Sequence, residues 1–282
     1  MLLGVHVSIA GNIREAPERA HKLGCNTMQI FSRNPQQWRD DFLLSGDIAE
    51  FRDKRDRFGI KSLFVHIPYL INLASPNPKL YGVSIKAYIE DIREAGLLKA
   101  DYIVTHMGSH KDTSEKEGIR RFVRALNMIA EKTRNIPVGI LLENTAGSGS
   151  WIGYKFIHHK EIIAGIKHKE NVGLCLDTAH AYLAGYDIST EEGLEGILNE
   201  IDDSVGLELL KLIHLNDAKG KLGSLHDRHE HIGKGGIGLE GMKRIVNHPK
   251  LRNLPFILET PKESAADDIM NLSVVRDLRD KK

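Results

Sequence analysis

Residues 138–144 read VGILLEN and residues 172–178 read VGLCLDT. Each is an unbroken apolar run that ends on a carboxylate, Glu143 in the first and Asp177 in the second. A strand with one wet face would alternate apolar and polar residues. An unbroken run instead suits a strand covered on both faces, as in a parallel sheet packed between helices.

The pattern pervades the chain. Similar runs recur at LLGVHVS (2–8), TMQIFS (27–32), KSLFVHI (61–67), DYIVTHM (101–107), LKLIHLN (210–216) and PFILET (255–260). Between them lie segments of helical spacing with charged faces, such as EGIRRFVRALNMIAEKTR (117–134) and GLEGMKRIVN (238–247). Eight strands alternating with helices over 282 residues predict a (β/α)8 TIM barrel. No Pro/Gly-rich linker or shift in composition divides the chain, so a single domain over 1–282 is expected. The rival fold, a doubly wound open sheet, would usually carry a glycine-rich first turn. The first turn here, SIAGNIREA, has no GxGxxG.

Composition narrows the class. Hydrophobic content of 41% and charged content of 27% are those of a globular protein, and no apolar stretch is long enough for a transmembrane helix. The N-terminus, MLLGVHVSIAGN, lacks a basic segment followed by a long apolar one, so no secretory signal is expected. Two cysteines, Cys25 and Cys175, make no disulfide framework and point to a reducing cytoplasm. A net charge of +1 argues against a broadly basic coat, but not against a site whose positive charge comes from bound cations.

Nearly every apolar run ends in a residue that a hydrophobic core would not choose: His6, His66, His106, Glu143, Asp177, His214 and Glu259. In a (β/α)8 barrel all strand C-termini open onto one face, where active sites are built. Taken singly, each is more readily a hydrogen-bonded scaffold residue. Together, that many buried carboxylates repel one another unless cations neutralise them, and neutral imidazoles are natural co-ligands. Mixed His nitrogen and carboxylate oxygen without thiolate suits Zn²⁺, and also Mn²⁺ or Fe²⁺. Cys175, two residues before Asp177, is read as packing deeper in the barrel.

More than one ion is expected, because further donors lie just past the strands. In LDTAH, Asp177 and His180 span a strand-to-helix turn. In HDRHEH (226–231), Asp227 and His229 share a side of an extended loop, with Arg228 on the other. With His180, Asp227 and His229 grouped on one ion, His66, His106, Glu143, Asp177, His214 and Glu259 remain for two others. Glu143 could bridge two ions through its two oxygens.

LDTAHAYLAGYD, IHLNDAKGKLGSLHDRHEHIGKGGIG, LLENTAGSGSWIG and FILET together resemble endonuclease IV, the family-2 apurinic/apyrimidinic endonucleases of DNA base-excision repair. The similarity runs from GVHVSIAGN to FILET, nearly the whole chain. It implies a TIM barrel and three zinc ions, with Mn²⁺ or Fe²⁺ an option at one position. Carried over motif by motif, the family's ligands fall on His66, His106, Glu143, Asp177, His180, His214, Asp227, His229 and Glu259. His6 is left out. The implied activity is hydrolysis of the phosphodiester bond 5′ to an abasic site in duplex DNA. It leaves a 3′-hydroxyl and a 5′-deoxyribose phosphate. The nucleophile it implies is a metal-bound hydroxide, with Glu143 and Glu259 as catalytic residues. A 3′-end-cleaning phosphodiesterase activity stays open. No Ser-His-Asp or Cys-His arrangement offers a protein nucleophile.

The sequence departs from the family in places. DTAH stands where many relatives have DTCH, and Gln36 stands where some carry an arginine that enters the DNA stack. Ile67 and Pro68 precede Tyr69 where others are more polar. The βα loops should form the DNA groove, with Arg33, Trp38, Tyr69, Asn72, Lys219 and Arg228 as candidate contacts beside Gln36. Each has a plainer role as loop packing or in an ion pair. A cytoplasmic monomer that does not enter membranes is the expectation.

Two other functions fit parts of the pattern. A xylose-isomerase-like sugar isomerase or epimerase would use one ion on Glu143, Asp177, His214 and Glu259, and would leave five donors without purpose. A catalytically silent DNA-damage binder would keep the metals for stability alone.

Overall fold

The structure is a computed structural model and describes residues 1–38 and 43–280. Eight parallel strands form the barrel: β1 (Leu2–Val5), β2 (Thr27–Phe31), β3 (Ser62–His66), β4 (Tyr102–His106), β5 (Gly139–Glu143), β6 (Val172–Asp177), β7 (Leu210–His214) and β10 (Pro255–Leu258). Two short strands outside the barrel, β8 (Asp217–Ala218) and β9 (His229–Glu230), fall between the last two of these in the chain. The barrel strands pair in the order β1-β10-β7-β6-β5-β4-β3-β2. A parallel bridge between His6 and Gln29, with Val7 N donating to Gln29 O at 2.7 Å, joins the first strand to the second. Gly4 sits at this seam, where a Cβ would come within 1.9 Å of Thr27 O, so only glycine lets the two strands approach.

Helices alternate with the strands. They are α1 (Ala16–Lys22), α2 (Ser45–Arg57), α3 (Pro78–Leu97), α4 (Glu115–Thr133), α5 (Phe156–Gly165), α6 (Thr178–Ala184), α7 (Glu191–Val205), α8 (Gly238–Asn247) and α9 (Ala265–Leu278). Both segments read as helical are helices, within two residues at the ends. α4 begins slightly earlier than EGIRR suggests, because Ser114 and Glu117 form a reciprocal capping box. Among the described residues no helix is long and apolar enough to cross a membrane.

The core has two parts. The larger lies between strands and helices; the smaller is Phe64, Val104, Leu141, Cys175, Leu212 and Ile257, packed on one another inside the barrel. Because a strand repeats every two residues, the next inward positions are His66, His106, Glu143, Asp177, His214 and Glu259. An apolar plug therefore floors a polar mouth.

Candidate metal centre

The mouth brings nine titratable side chains into overlapping groups. His66, His106 and Glu143 form one; Glu143, Asp177, His214 and Glu259 a second; Asp177, His180 and His229 a third, with donor atoms in each group within 4.8 Å of one another. Asp227 joins the third, its Oδ1 lying 3.0 Å from His180 Nε2 and 3.8 Å from His229 Nε2. Glu143 is common to the first two groups. Its Oε2 is 3.1 Å from His66 Nε2 and its Oε1 is 2.9 Å from His214 Nδ1. Asp177 links the second group to the third, its Oδ2 lying 3.9 Å from His214 Nδ1 and 3.7 Å from His229 Nε2.

Hydrogen bonds to acceptor-only carbonyls fix how three imidazoles face. His66 Nδ1 donates to Ile67 O at 2.7 Å, His180 Nδ1 to Asn144 O at 2.9 Å and His229 Nδ1 to Glu259 O at 3.0 Å. In the neutral ring, each Nε2 then carries a lone pair aimed into the mouth. The Nε2 atoms of His180 and His229 face each other at 3.4 Å, with Asp227 beside them. Acceptors facing acceptors repel unless positive charge lies between them. A proton on His180 shared with Asp227 can supply it locally; a divalent cation supplies it to a whole group at once, so the donor set fits metal.

The electrostatics carry the same message. Burial opposes charge on His214 and His180, yet both are held well above the ordinary histidine range. Cys175, Glu259 and Glu143 act on His214, and Asp177 and Asp227 on His180. His66 is raised too, Glu143 and Glu259 outweighing its burial. Burial works against ionisation of Glu143 and Glu259, but the surrounding histidines keep both well below the usual carboxylate range. Asp227, against its own partial burial, is drawn down to about 2 by His180 and His229. Buried Cys175 is pushed up to about 12, so it is a thiol packed against His214.

Local structure holds these groups. Asp177 is both a donor in the centre and the N-cap of α6, its Oδ1 accepting from His180 N at 2.7 Å, which sets the distance between LDTAH's two polar ends. The loop bearing Asp227 and His229 is tied by a two-residue ribbon in which β8 pairs antiparallel with β9. Buried Asp217 accepts from the backbone N–H groups of Gly233, Gly235 and Ile237 at 2.9–3.0 Å and so shapes the GKGGIG turn.

Several supporting residues carry no signal that sequence reasoning used. Asn216 Nδ2 donates to Asp177 Oδ2 at 2.7 Å, and Asn216 Oδ1 accepts from Glu259 N at 2.7 Å. Asn144 exchanges hydrogen bonds with the Asp177 backbone. Gln29, inward on β2, lies between His214 and Glu259. Each follows or interrupts an apolar run, which is the one visible hint. His6, excluded from the ligand set, sits 3.3 Å from Glu259 Oε1.

The candidate DNA contacts divide. Gln36, Trp38, Tyr69, Lys219 and Arg228 are exposed, and Tyr69 packs edge-on to Phe31 beside His66. Lys219 also lies 3.8 Å from Glu230. Arg33 and Asn72 need correction. Arg33 is buried and grips Asp91 with two hydrogen bonds, at 2.7 and 3.2 Å, while donating to Gln37 O. Asn72 is buried and ties the loop after β3 to Ser109 through Nδ2 and Oδ1. Both residues brace the loops from within.

Residues 17–276 match the family described as the xylose isomerase-like TIM barrel. The chain is 45% identical to a probable endonuclease 4 from Methanoculleus marisnigri over 278 residues, 99% of each protein. It superposes on the crystal structure of endonuclease IV from Thermus thermophilus with a TM-score of 0.87 and 36% identity, covering 99% of this chain and 98% of that one. A D-tagatose 3-epimerase-like protein shares the fold, with a TM-score of 0.75 over 99% of this chain and 97% of its own, at 19% identity. By its barrel and by its full-length identity, the chain belongs to the endonuclease IV family of xylose isomerase-like TIM barrels.

Proposed function

We propose that the chain is a metal-dependent DNA-repair endonuclease that hydrolyses the phosphodiester bond 5′ to an abasic site in duplex DNA. The single observation that carries this is the run of overlapping donor groups across one barrel mouth, three of them made of histidine, aspartate and glutamate alone. A one-ion sugar isomerase or epimerase would employ the Glu143, Asp177, His214 and Glu259 group alone. It would give His66, His106, His180, Asp227 and His229 no task.

In this reading His66, His106 and Glu143 hold one divalent cation, Glu143, Asp177, His214 and Glu259 a second, and His180, Asp227 and His229 a third. Zinc fits the donors, with Mn²⁺ or Fe²⁺ an option at one position. Bound cations supply Lewis-acid neutralisation of a phosphate and make water a better nucleophile near neutral pH. Glu143 would contribute to two of these positions. Asp227, half exposed at the rim, leaves the third position open to solvent. Trp38, Tyr69 and Gln36 offer exposed surface to the gap left by a missing base, and Lys219 and Arg228 offer charge to the backbone. We further propose that the 282 residues work as one domain, as a cytoplasmic monomer with access to the chromosome.

The test is a duplex carrying one abasic site, incubated with zinc-loaded protein. The expected result is a nick on the 5′ side leaving a 3′-hydroxyl, abolished by Glu259→Gln. Binding without a nick would favour a silent damage binder.

A further inference from the structure

Gln29 is fully buried on β2, whose residues Thr27–Phe31 include no histidine or carboxylate. Its side-chain amide spans two members of the second donor group. Nε2 lies 2.6 Å from Glu259 Oε1 and Oε1 lies 2.8 Å from His214 Nε2; the other Nε2 hydrogen reaches toward His6 Nδ1 at 3.0 Å. These contacts force a chain of assignments. An ionised carboxylate only accepts, so the amide NH2 must face Glu259. The amide oxygen therefore faces His214, and His214 Nε2 must be the N–H that donates to it. In the neutral ring the lone pair then sits on Nδ1, the nitrogen that points at Glu143 Oε1 (2.9 Å) and Glu259 Oε2 (3.2 Å). One amide thus sets which nitrogen of His214 can ligate, and leaves Glu259 Oε2 to share the cation.

We propose that Gln29 is a positioning residue for the cation held by Glu143, Asp177, His214 and Glu259, setting how tightly that one ion is retained. The inference rests on the metal reading above and concerns this chain's own residue. Partners that hold a ligand's other nitrogen fix its ring and raise its basicity, and losing one typically weakens metal affinity by about 10–100-fold. Gln29→Met keeps the length and apolar bulk but removes the amide's hydrogen bonds to Glu259, His214 and His6. Gln29→Asn keeps the amide one methylene short, so it can satisfy His214 or Glu259 but not both.

The experiment follows release of zinc from the fully loaded protein to a chromogenic chelator, alongside zinc content by native mass spectrometry and the far-UV circular dichroism of the metal-free chain. In Gln29→Met one release phase should accelerate about 10–100-fold while the others keep their wild-type rates. Gln29→Asn should accelerate the same phase by less. Both metal-free variants should show the wild-type fold. Wild-type release in either folded variant overturns the proposal, because a residue that only packs would leave the ions untouched. Failure of both variants to fold overturns it too, since a positioning residue leaves the metal-free barrel standing. If wild-type protein itself retains no zinc, the metal reading fails first, a result distinct from either.

Discussion

Phe64, Val104, Leu141, Cys175, Leu212 and Ile257 line the barrel one pleat below His66, His106, Glu143, Asp177, His214 and Glu259. The strands are the same, the facing is the same, and the separation is two residues in every case. The lower ring is packed as a protein core should be. The upper ring gathers carboxylates and imidazoles that a core would reject. What separates them is what lies above: the lower ring is capped by the upper one, whereas the upper ring, itself largely buried, meets loops that add His180, Asp227 and His229. The lower ring thus packs the barrel, and the upper ring gathers donor groups that could hold metal.

The sharpest way to break this comparison is to change adjacent pleats of one strand. Glu143→Gln removes the carboxylate common to two donor groups. Cleavage of abasic DNA should fall by at least about 10³-fold, the upper end of what losing one electrostatic group in an active site costs, and the metal-free fold should survive. Single-turnover cleavage with circular dichroism checks both halves. Leu141→Ala, one pleat below, should do the reverse. It opens a cavity in the plug, costing about 2–5 kcal/mol in urea unfolding, while the folded fraction cleaves at the wild-type rate.

Acidity sharpens the contrast further, since the groups it reaches lie in the upper ring and in the loops above it. Zinc must displace protons from His66, His180 and His214, whose affinities for protons are raised. Zinc uptake near neutral pH should therefore release protons, and zinc affinity should fall as pH drops. Calorimetry in buffers of different ionisation heat reads both. In the metal-free chain the sign reverses. A ring whose folded pKa is raised contributes stability that is complete below the unfolded value of about 6.5 and lost as pH rises through the folded value. Chelator-treated protein should thus weaken from neutral toward alkaline pH while loaded protein does not. His106, lowered by burial, acts in the opposite sense and blunts the effect.

The smallest effect belongs to the rim. Lys219→Ala and Arg228→Ala should each weaken DNA binding modestly and reduce the log–log salt slope by about 1, read by binding titrations at several salt concentrations.

The upper ring was visible in the sequence because its members are the wrong residues for where they stand. Glu143 and Asp177 each end an unbroken apolar run, and that contradiction reveals fold and site together. Asp227 and His229 could be grouped from their i, i+2 spacing, and the structure brings both beside His180, with His229 on β9 and Asp227 in the loop before it. Gln29, Asn144 and Asn216 were not, because a neutral amide next to a strand is unremarkable until its partners, which come from distant strands, are known. Arg33 and Asn72 misled for the opposite reason. Their types suit DNA, but Asp91, on α3, and Ser109, past β4, claim them, and neither partner is near in sequence.

Counting zinc by native mass spectrometry, in wild-type protein and in an Asp227→Asn/His229→Ala double variant, tests the central claim most directly. A mouth built from three overlapping groups predicts three ions in the first and two in the second. One ion in both, retained equally well, would contradict it and leave a single-metal barrel in its place.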